Sequence, residues 1–220
     1  TAIDGGFANI QTLTALSSVS LNGTIQTNLD QNYAGPVSLA GSTSLIGNAG
    51  SFSSGITGNT EDLLLNFTST TSLDNVVNVR NLQSLGNVTV GGGLLTTGTQ
   101  TYNGTVGLTS DTLLSGTKGF FAQGVTGGGN DLTLRFSQAS VAISGGFSGI
   151  ANLTAETAVS LLVGADGLEE LETSEIGPQN RREVDLRVGD LPEQEVGDAL
   201  FSRGADEQIR VGCAAGLQMC

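Results

Sequence analysis

The sequence predicts an all-β protein in which residues 1–163 form a parallel β-solenoid and residues 164–220 form a non-repetitive acidic tail. Three observations lead to this fold class. The chain repeats itself at a long fixed period, as stacked structural repeats do. Its apolar residues alternate with small polar ones, which is the period of a β-strand. Helical periodicity is nearly absent before the tail, and the Thr, Ser and Val content suits strands.

The internal repeat appears when the sequence is shifted against itself by 69 positions, which aligns 9–67 with 78–136 without a gap. About 23 of these 59 pairs are identical. The identities form blocks that include the pairs Gln31/Gln100, Tyr33/Tyr102, Gly35/Gly104, Leu39/Leu108, Phe52/Phe121 and Asp62/Asp131. A truncated third copy begins where 145–150 resembles 5–10. The segment 1–163 therefore holds two full copies and part of a third.

Short strands of apolar and small residues lie within each copy, among them 37–39, 88–90, 132–134 and 141–143. Gly, Asn, Ser and Asp separate these strands and provide the turns. We expect Val, Leu, Ile and Phe to face a core, and Thr, Ser, Asn and Gln to face water. A 69-residue unit divides most simply into three coils of about 23 residues, each with two or three strands.

A sandwich and a propeller are the competing architectures for this pattern. A sandwich does not need a gapless repeat of this length. A propeller needs four strands per blade, more than two blades and usually recurrent aromatic residues. A parallel solenoid does need a fixed coil length, because its coils stack on one another. The sequence therefore favours the solenoid.

The composition excludes several classes of function. The 220 residues include 33 Gly and no His, and only 13% are charged. Without His there is no His-dependent triad, no His metal site and no imidazole general base. A net charge of −13 argues against nucleic acid as a partner, since phosphates attract clusters of Lys and Arg. No apolar run approaches the roughly 20 residues of a direct membrane span. We expect no enzyme activity and no cofactor.

Smaller features have structural interpretations that compete with functional ones. Residues 126–132 weakly resemble a calcium-binding repeat but fit a polar turn better. Glu61 and Asp62 are adjacent acids, which on a strand point to opposite faces and are poor partners in acid–base catalysis. Tyr33 and Tyr102 recur at matched positions, so we expect both to pack in the core. Five Asn-x-Ser/Thr sequences are present, as chance matches would provide in a Thr-rich chain.

The composition changes after residue 163. Residues 164–220 contain 13 of the 21 acidic and five of the eight basic residues, so their net charge is −8 against −5 before them. All-polar stretches such as 173–182 are typical of a linker or loop. One interpretation is a solvated, partly ordered tail that keeps the end of the solenoid from stacking on neighbours.

Both cysteines of the chain, Cys213 and Cys220, lie close to its C-terminal end. Two cysteines without His cannot provide four zinc ligands, and their spacing is wrong for a thioredoxin-like C-x-x-C motif. A disulfide across so short a loop is geometrically possible, but it would remove little entropy from the unfolded chain. Two uses stay open: a local recognition loop, or a simple clip on the chain end.

The blocks 100–108 (QTYNGTVGL) and 111–117 (DTLLSGT) resemble repeats of large bacterial exoproteins. These are the filamentous-haemagglutinin-like adhesins of two-partner secretion and related autotransporter passengers. The resemblance covers about residues 1–163 and implies a right-handed parallel β-helix, export across the outer membrane, and a cell-surface or extracellular location. Because the chain starts at Thr1 without Met or a signal peptide, we expect a processed piece of a longer protein.

The high-molecular-weight adhesin branch of this family implies a use for the cysteines. In that branch a cysteine-bounded C-terminal loop tethers the exoprotein to its outer-membrane β-barrel transporter. The resemblance implies a disulfide between Cys213 and Cys220, formed in the oxidising periplasm. The implied transporter-anchoring loop consists of Cys213, Ala214, Ala215, Gly216, Leu217, Gln218, Met219 and Cys220. The residues between the two cysteines match no family pattern.

The main prediction is the C-terminal part of a secreted surface adhesin, with a β-helical shaft and a cysteine-closed end held by its transporter. A host or bacterial surface receptor would bind parts of the protein outside this sequence. The alternative is a freely released solenoid passenger whose tail is only a cap. A polysaccharide-active β-helix enzyme comes third, because no set of acids and bases repeats or clusters in the sequence.

Overall fold

The computed structural model describes residues 1–138 and 146–156 in full, and the backbone of 162–163 and 187–188. The described residues form strands joined by turns and bends, and none of them lies in a helix. Twenty strands lie in one continuous sheet, and every pairing in it is parallel. The sheet winds into a solenoid of about eight turns. The predicted fold class, an all-β parallel solenoid, is confirmed.

The strands of the solenoid are mostly short. In chain order they are β1 (Ala2–Asp4), β2 (Phe7–Ile10), β3 (Leu13–Ala15), β4 (Val19–Thr27), β5 (Gln31–Tyr33), β6 (Val37–Gly47), β7 (Gly50–Phe52), β8 (Ile56–Thr57), β9 (Leu63–Phe67), β10 (Thr71–Leu73), β11 (Val76–Val79), β12 (Leu82–Ser84), β13 (Val88–Thr96), β14 (Thr99–Tyr102), β15 (Val106–Gly116), β16 (Lys118–Phe121), β17 (Val125–Thr126), β18 (Leu132–Phe136), β19 (Phe147–Ser148) and β20 (Leu153–Ala155).

Each turn has three faces, and the long strands β4, β6, β13 and β15 bend at a corner to cover two of them. The first face contains β1, β8, β11, β18, β20 and residues 19–21, 37–39, 94–96 and 112–116. The second face contains β2, β9, β12, β14, β16 and residues 25–27 and 43–47. The third face contains β3, β5, β7, β10, β17, β19 and residues 88–90 and 106–108.

Residues that pair between neighbouring turns are 17 to 22 positions apart in the chain. The shortest spacing joins Thr71 to Val88, and the longest joins Val125 to Phe147. The predicted coil of about 23 residues is therefore wrong, because the straight segments are short and the corners between them take only a few residues. At about 4.8 Å per turn, eight turns give a rod roughly 38 Å long.

The 69-residue repeat is not a whole number of turns. Leu13 lies on the third face and pairs with Gln31, whereas its counterpart Leu82 lies on the second face and pairs with Gln100. Leu82 comes eleven straight segments after Leu13, and three segments make one turn, so one repeat unit covers three and two-thirds turns. Each copy of the repeat therefore begins on a different face from the copy before it.

Left-handed backbone conformations recur at corresponding positions of the two copies. Gly23 and Gly92, which occupy corresponding positions of the two copies, both adopt a left-handed backbone with φ of 73° and 79°. Asn9 and Asn78 do the same with φ of 63° and 56°. Glycine adopts this conformation freely and asparagine tolerates it better than most residues. Corresponding positions of the two copies therefore share backbone geometry although they lie on different faces of the solenoid.

Apolar side chains fill the interior along all three faces. Buried and outward residues alternate in the strands, as in β9, where Leu63, Leu65 and Phe67 are buried. Leu39 and Leu108, from corresponding positions of the two copies, are both buried. The prediction that Val, Leu, Ile and Phe face the core is confirmed for these positions. The prediction that Thr, Ser and Gln face water is wrong at Gln31, Gln100 and Thr71, which are fully buried. The outward positions of the third face carry small or polar residues, namely Thr14, Asn32, Ser51, Ser72, Thr89, Gly107, Thr126 and Ser148.

The predicted acidic tail, residues 164–220, lies outside the described residues apart from one short strand. β21 (Leu162–Val163) and β22 (Arg187–Val188) pair in parallel and form a separate two-stranded sheet. The boundary after residue 163 stays a prediction.

Candidate functional site

A shallow open groove of about 350 Å³ follows the corner between the first and second faces. It crosses several turns and is lined by Gly23, Thr24, Ser42, Thr43, Ser44, Asp62, Leu63, Leu64, Asn81 and Gln83. Thr24, Ser44, Leu64 and Gln83 occupy one outward column of the second face. The lining thus combines hydroxyl and amide groups and the Asp62 carboxylate with two leucines, Leu63 and Leu64.

The lining of the groove is not repeated in the second copy. The counterparts of Thr24, Ser44 and Leu64 in that copy are Gly93, Leu113 and Thr133. The exchange of hydroxyl groups for glycine and leucine changes the lining of the equivalent corner. This set of lining residues therefore belongs to one place on the solenoid and not to the repeat.

An ion pair stands at one end of the groove. The Nε and a terminal nitrogen of Arg80 donate to the two carboxylate oxygens of Asp62 at 2.8 and 2.6 Å. The side-chain amide of Asn81 donates to the same carboxylate at 2.9 Å. These hydrogen bonds, those from Arg80 first, hold the pKa of the Asp62 carboxyl below its usual value. Asp62 is thus fixed as a carboxylate that links two neighbouring turns.

Glu61 and Asp62 lie just before β9 and not on a strand, and they have different partners. The Ser42 hydroxyl donates to a carboxylate oxygen of Glu61 at 3.1 Å, whereas Asp62 is bound by Arg80 and Asn81. Among the described residues the two acids share no hydrogen-bond partner, and the partners of Asp62 hold it as a carboxylate. The pair therefore lacks the arrangement of a general acid and a general base.

A second ion pair links turns farther along the rod. Arg135 donates through Nε and a terminal nitrogen to Glu156, with distances of 2.7 and 2.8 Å. More than half of the Arg135 side chain is exposed. Like the first pair, this one joins residues about one turn apart. Sequence reasoning missed both pairs, since their spacing has a meaning only once the length of a turn is known.

The glycine-rich stretch 126–132 forms the corner that leads from β17 into β18, as the preferred interpretation expected. Gly128 and Gly129 have positive φ. The Asn130 amide donates to the carbonyl oxygens of Leu108 and Gly127 at 3.2 and 2.9 Å. These contacts hold a turn. Among the described residues no group of three or more acidic or cysteine side chains is placed to hold a metal ion.

Tyr33 and Tyr102 are core residues, as predicted. Tyr33 stacks on Phe52 with ring centroids 4.8 Å apart, and Tyr102 stacks on Phe121 at 5.3 Å. Burial raises the pKa of both phenols above the usual value. Because both rings are buried, neither one offers a stacking platform for a sugar.

The predicted anchoring residues, Cys213 to Cys220, lie outside the described residues, so both the disulfide and the loop stay predictions. The described residues contain no helix that is long and apolar enough to cross a membrane.

Compared with known proteins, the chain gives no significant match to a family model, a curated protein or a solved structure.

Proposed function

We propose that this chain is part of a secreted bacterial surface exoprotein, in which the solenoid is a shaft and the cysteine-closed C-terminus is held by an outer-membrane β-barrel transporter. The parallel solenoid of about eight turns is consistent with a β-helical shaft. The secretion route, the adhesin role and the transporter are inferred from the resemblance of the repeats to two-partner-secretion exoproteins.

The shaft proposal rests on which residues are identical in the two copies. Buried residues are retained, as in the identical pairs Gln31/Gln100, Leu45/Leu114, Phe52/Phe121 and Phe67/Phe136. Most outward residues between them change, as in the pairs Asn32/Thr101, Ser44/Leu113 and Ser51/Phe120. A repeat used for binding would keep its outward side chains. This repeat keeps the residues that hold the rod together.

The rotation between copies supports the same function. Because one unit covers three and two-thirds turns, a side chain at a given repeat position moves to another face in the next copy. A repeated motif therefore spreads around the rod and does not accumulate on one side. A spacer tolerates this rotation, whereas a one-sided repetitive binding surface does not.

The charge distribution also favours a shaft over an enzyme. The segment 1–163 carries eight acidic and three basic side chains. Two of the three basic residues, Arg80 and Arg135, are bound to carboxylates one turn away. Such pairs tie turns together and leave few charged groups for chemistry. The polysaccharide-active alternative therefore lacks a supporting arrangement in the described residues.

The tether is tested by fractionating the producing cells. We expect Cys213→Ser, Cys220→Ser and a chain ended after Arg210 to move from the cell surface into the medium. Ser72→Ala, an exposed change on the third face, is the matched control and should stay on the surface. Circular dichroism of the released protein should still report the strand content of the wild type.

Two outcomes would contradict the tether. If the cysteine variants stay on the surface in wild-type amounts, the cysteines are only an end clip. If wild-type protein is itself found only in the medium, the freely released passenger is correct. In either case the shaft proposal would remain, because it rests on the solenoid and its interior repeat.

A further inference from the structure

Asn103 and Gly104 form the corner between β14 and β15, and Asn103 is exposed. The corner is held on both sides of their peptide bond. The Asn103 N–H donates to the carbonyl oxygen of Ser84 at 2.9 Å, and the Thr105 N–H donates to Oδ1 of Asn87 at 3.0 Å. Between these bonds, neither the Asn103 side chain nor the Gly104 N–H has a hydrogen-bond partner among the described residues.

Glycine is required at position 104 by the packing of successive turns. A Cβ on Gly104 would lie 2.5 Å from the carbonyl carbon of Gly86 in the turn before it. Such an approach excludes every larger residue. Because Gly104 has no Cβ, no side chain of its own stands beside its amide nitrogen next to Asn103. The architecture thus places an amide nitrogen without a hydrogen-bond partner in the described part of the chain directly after an exposed asparagine.

We infer that Asn103 is a site of spontaneous modification, at which the chain converts this asparagine into isoaspartate without an enzyme. The deprotonated backbone nitrogen of Gly104 attacks Cγ of Asn103, a C–N bond forms, and the Cγ–Nδ2 bond breaks. The side-chain nitrogen leaves as ammonia and carries away the proton. Water then opens the five-membered succinimide at either carbonyl, which gives isoaspartate or aspartate and adds one negative charge.

The structure separates this site from the second Asn-Gly sequence of the repeat region. The Asn22 amide donates to Oδ1 of Asp4 at 2.7 Å, so its side chain is already held. Gly23 lies inside β4 and is aligned with Thr43 in the parallel ladder. Attack at Asn22 must first break a hydrogen bond and distort a paired strand. In the folded protein we therefore expect Asn103 to react several-fold faster than Asn22.

The first copy supplies a matched control for the corner itself. Ala34 and Gly35 occupy the positions that correspond to Asn103 and Gly104, and a Cβ on Gly35 would clash with the backbone of Ser17. The close approach is thus the same, but alanine has no amide to react. Since the corner accepts alanine in the first copy, Asn103→Ala should fold and should not react.

Isoaspartate has a structural consequence at this corner. It routes the backbone through Cβ and so adds a methylene group to a corner where even a Cβ on Gly104 would clash with Gly86. The neighbouring hydrogen bond from Thr105 to Asn87 has to shift. We therefore expect aged protein to be cleaved by added protease near residue 104 faster than fresh protein, since local opening exposes backbone.

The experiment is to incubate the purified full chain at 37 °C in mildly alkaline buffer and to map its peptides by mass spectrometry with isoaspartyl-methyltransferase labelling. The expected result is label at Asn103, several-fold less at Asn22, and none at residue 103 in Asn103→Ala. In denaturant both asparagines should react at similar rates. Equal rates in the folded protein, or faster reaction at Asn22, would overturn the inference.

Discussion

Gln31 and Gln100 make the same hydrogen bonds on different faces of the solenoid. Nε2 of Gln31 donates to the carbonyl oxygens of Ile25 and Ile46 at 3.1 and 2.9 Å. Nε2 of Gln100 donates to the corresponding carbonyls, those of Leu94 and Ser115, at 2.7 and 2.8 Å. In both copies Oε1 accepts a hydrogen bond from the tyrosine two positions later, at 2.9 Å. A buried polar network is thus reproduced as a unit.

Tyr33→Phe and Tyr102→Phe should destabilise the protein by similar amounts. Each change removes a hydroxyl and leaves a buried glutamine oxygen without its donor, which costs about 1–3 kcal/mol. The measurement is urea unfolding followed by circular dichroism. A loss of stability in only one of the two variants would contradict the equivalence of the two hydrogen-bond networks.

Thr71→Val should stabilise the protein by about 1 kcal/mol, because valine has nearly the same shape and removes the cost of burying a hydroxyl. Thr71 is fully buried, and its hydroxyl has no hydrogen-bond partner in the described structure. The matched control is Thr112→Val, because the Thr112 hydroxyl donates to the Ser110 carbonyl at 2.8 Å. We expect the control to lose stability, and a loss at both positions in thermal unfolding would contradict the account of Thr71.

Arg80→Gln should raise the pKa of Asp62 towards its ordinary value. Because the folded protein holds this pKa low, ionised Asp62 stabilises the fold above its unfolded pKa, and that stabilisation is lost as the pH falls through the folded pKa. The effect on stability is small because both side chains are well exposed. Titration of the Asp62 carboxyl group, followed by NMR, measures this pKa directly. Arg135→Gln is the control, and an equal shift of Asp62 in that variant would contradict the assignment.

Much of the interior could be predicted from alternation alone. Leu63, Leu65 and Phe67 alternate with polar or outward residues in the sequence, and all three are buried. The turn length could not be predicted, because the repeat unit is not a multiple of it. Identical pairs such as Tyr33 and Tyr102 suggest equivalent faces, yet they lie on different ones.

The surface features could not be predicted from the alternation of residues in the sequence. The ion pair of Asp62 with Arg80 joins residues 18 positions apart, a separation without significance until neighbouring turns are known to be spaced by 17 to 22 positions. The groove around Leu64 depends on which outward residues of four successive turns fall into one column. The alternation along a strand predicts which residues face inward and which face outward. Only the register between turns shows which outward residues lie next to one another.

The most direct test of the shaft is removal of one repeat unit, residues 9–77. The new junction joins Ala8 to Asn78, which has the same left-handed backbone as Asn9. The account predicts a folded solenoid that unfolds cooperatively and is shorter by three and two-thirds turns, or about 18 Å, in small-angle X-ray scattering. Loss of the strand signal, or a folded protein of unchanged length, would contradict it.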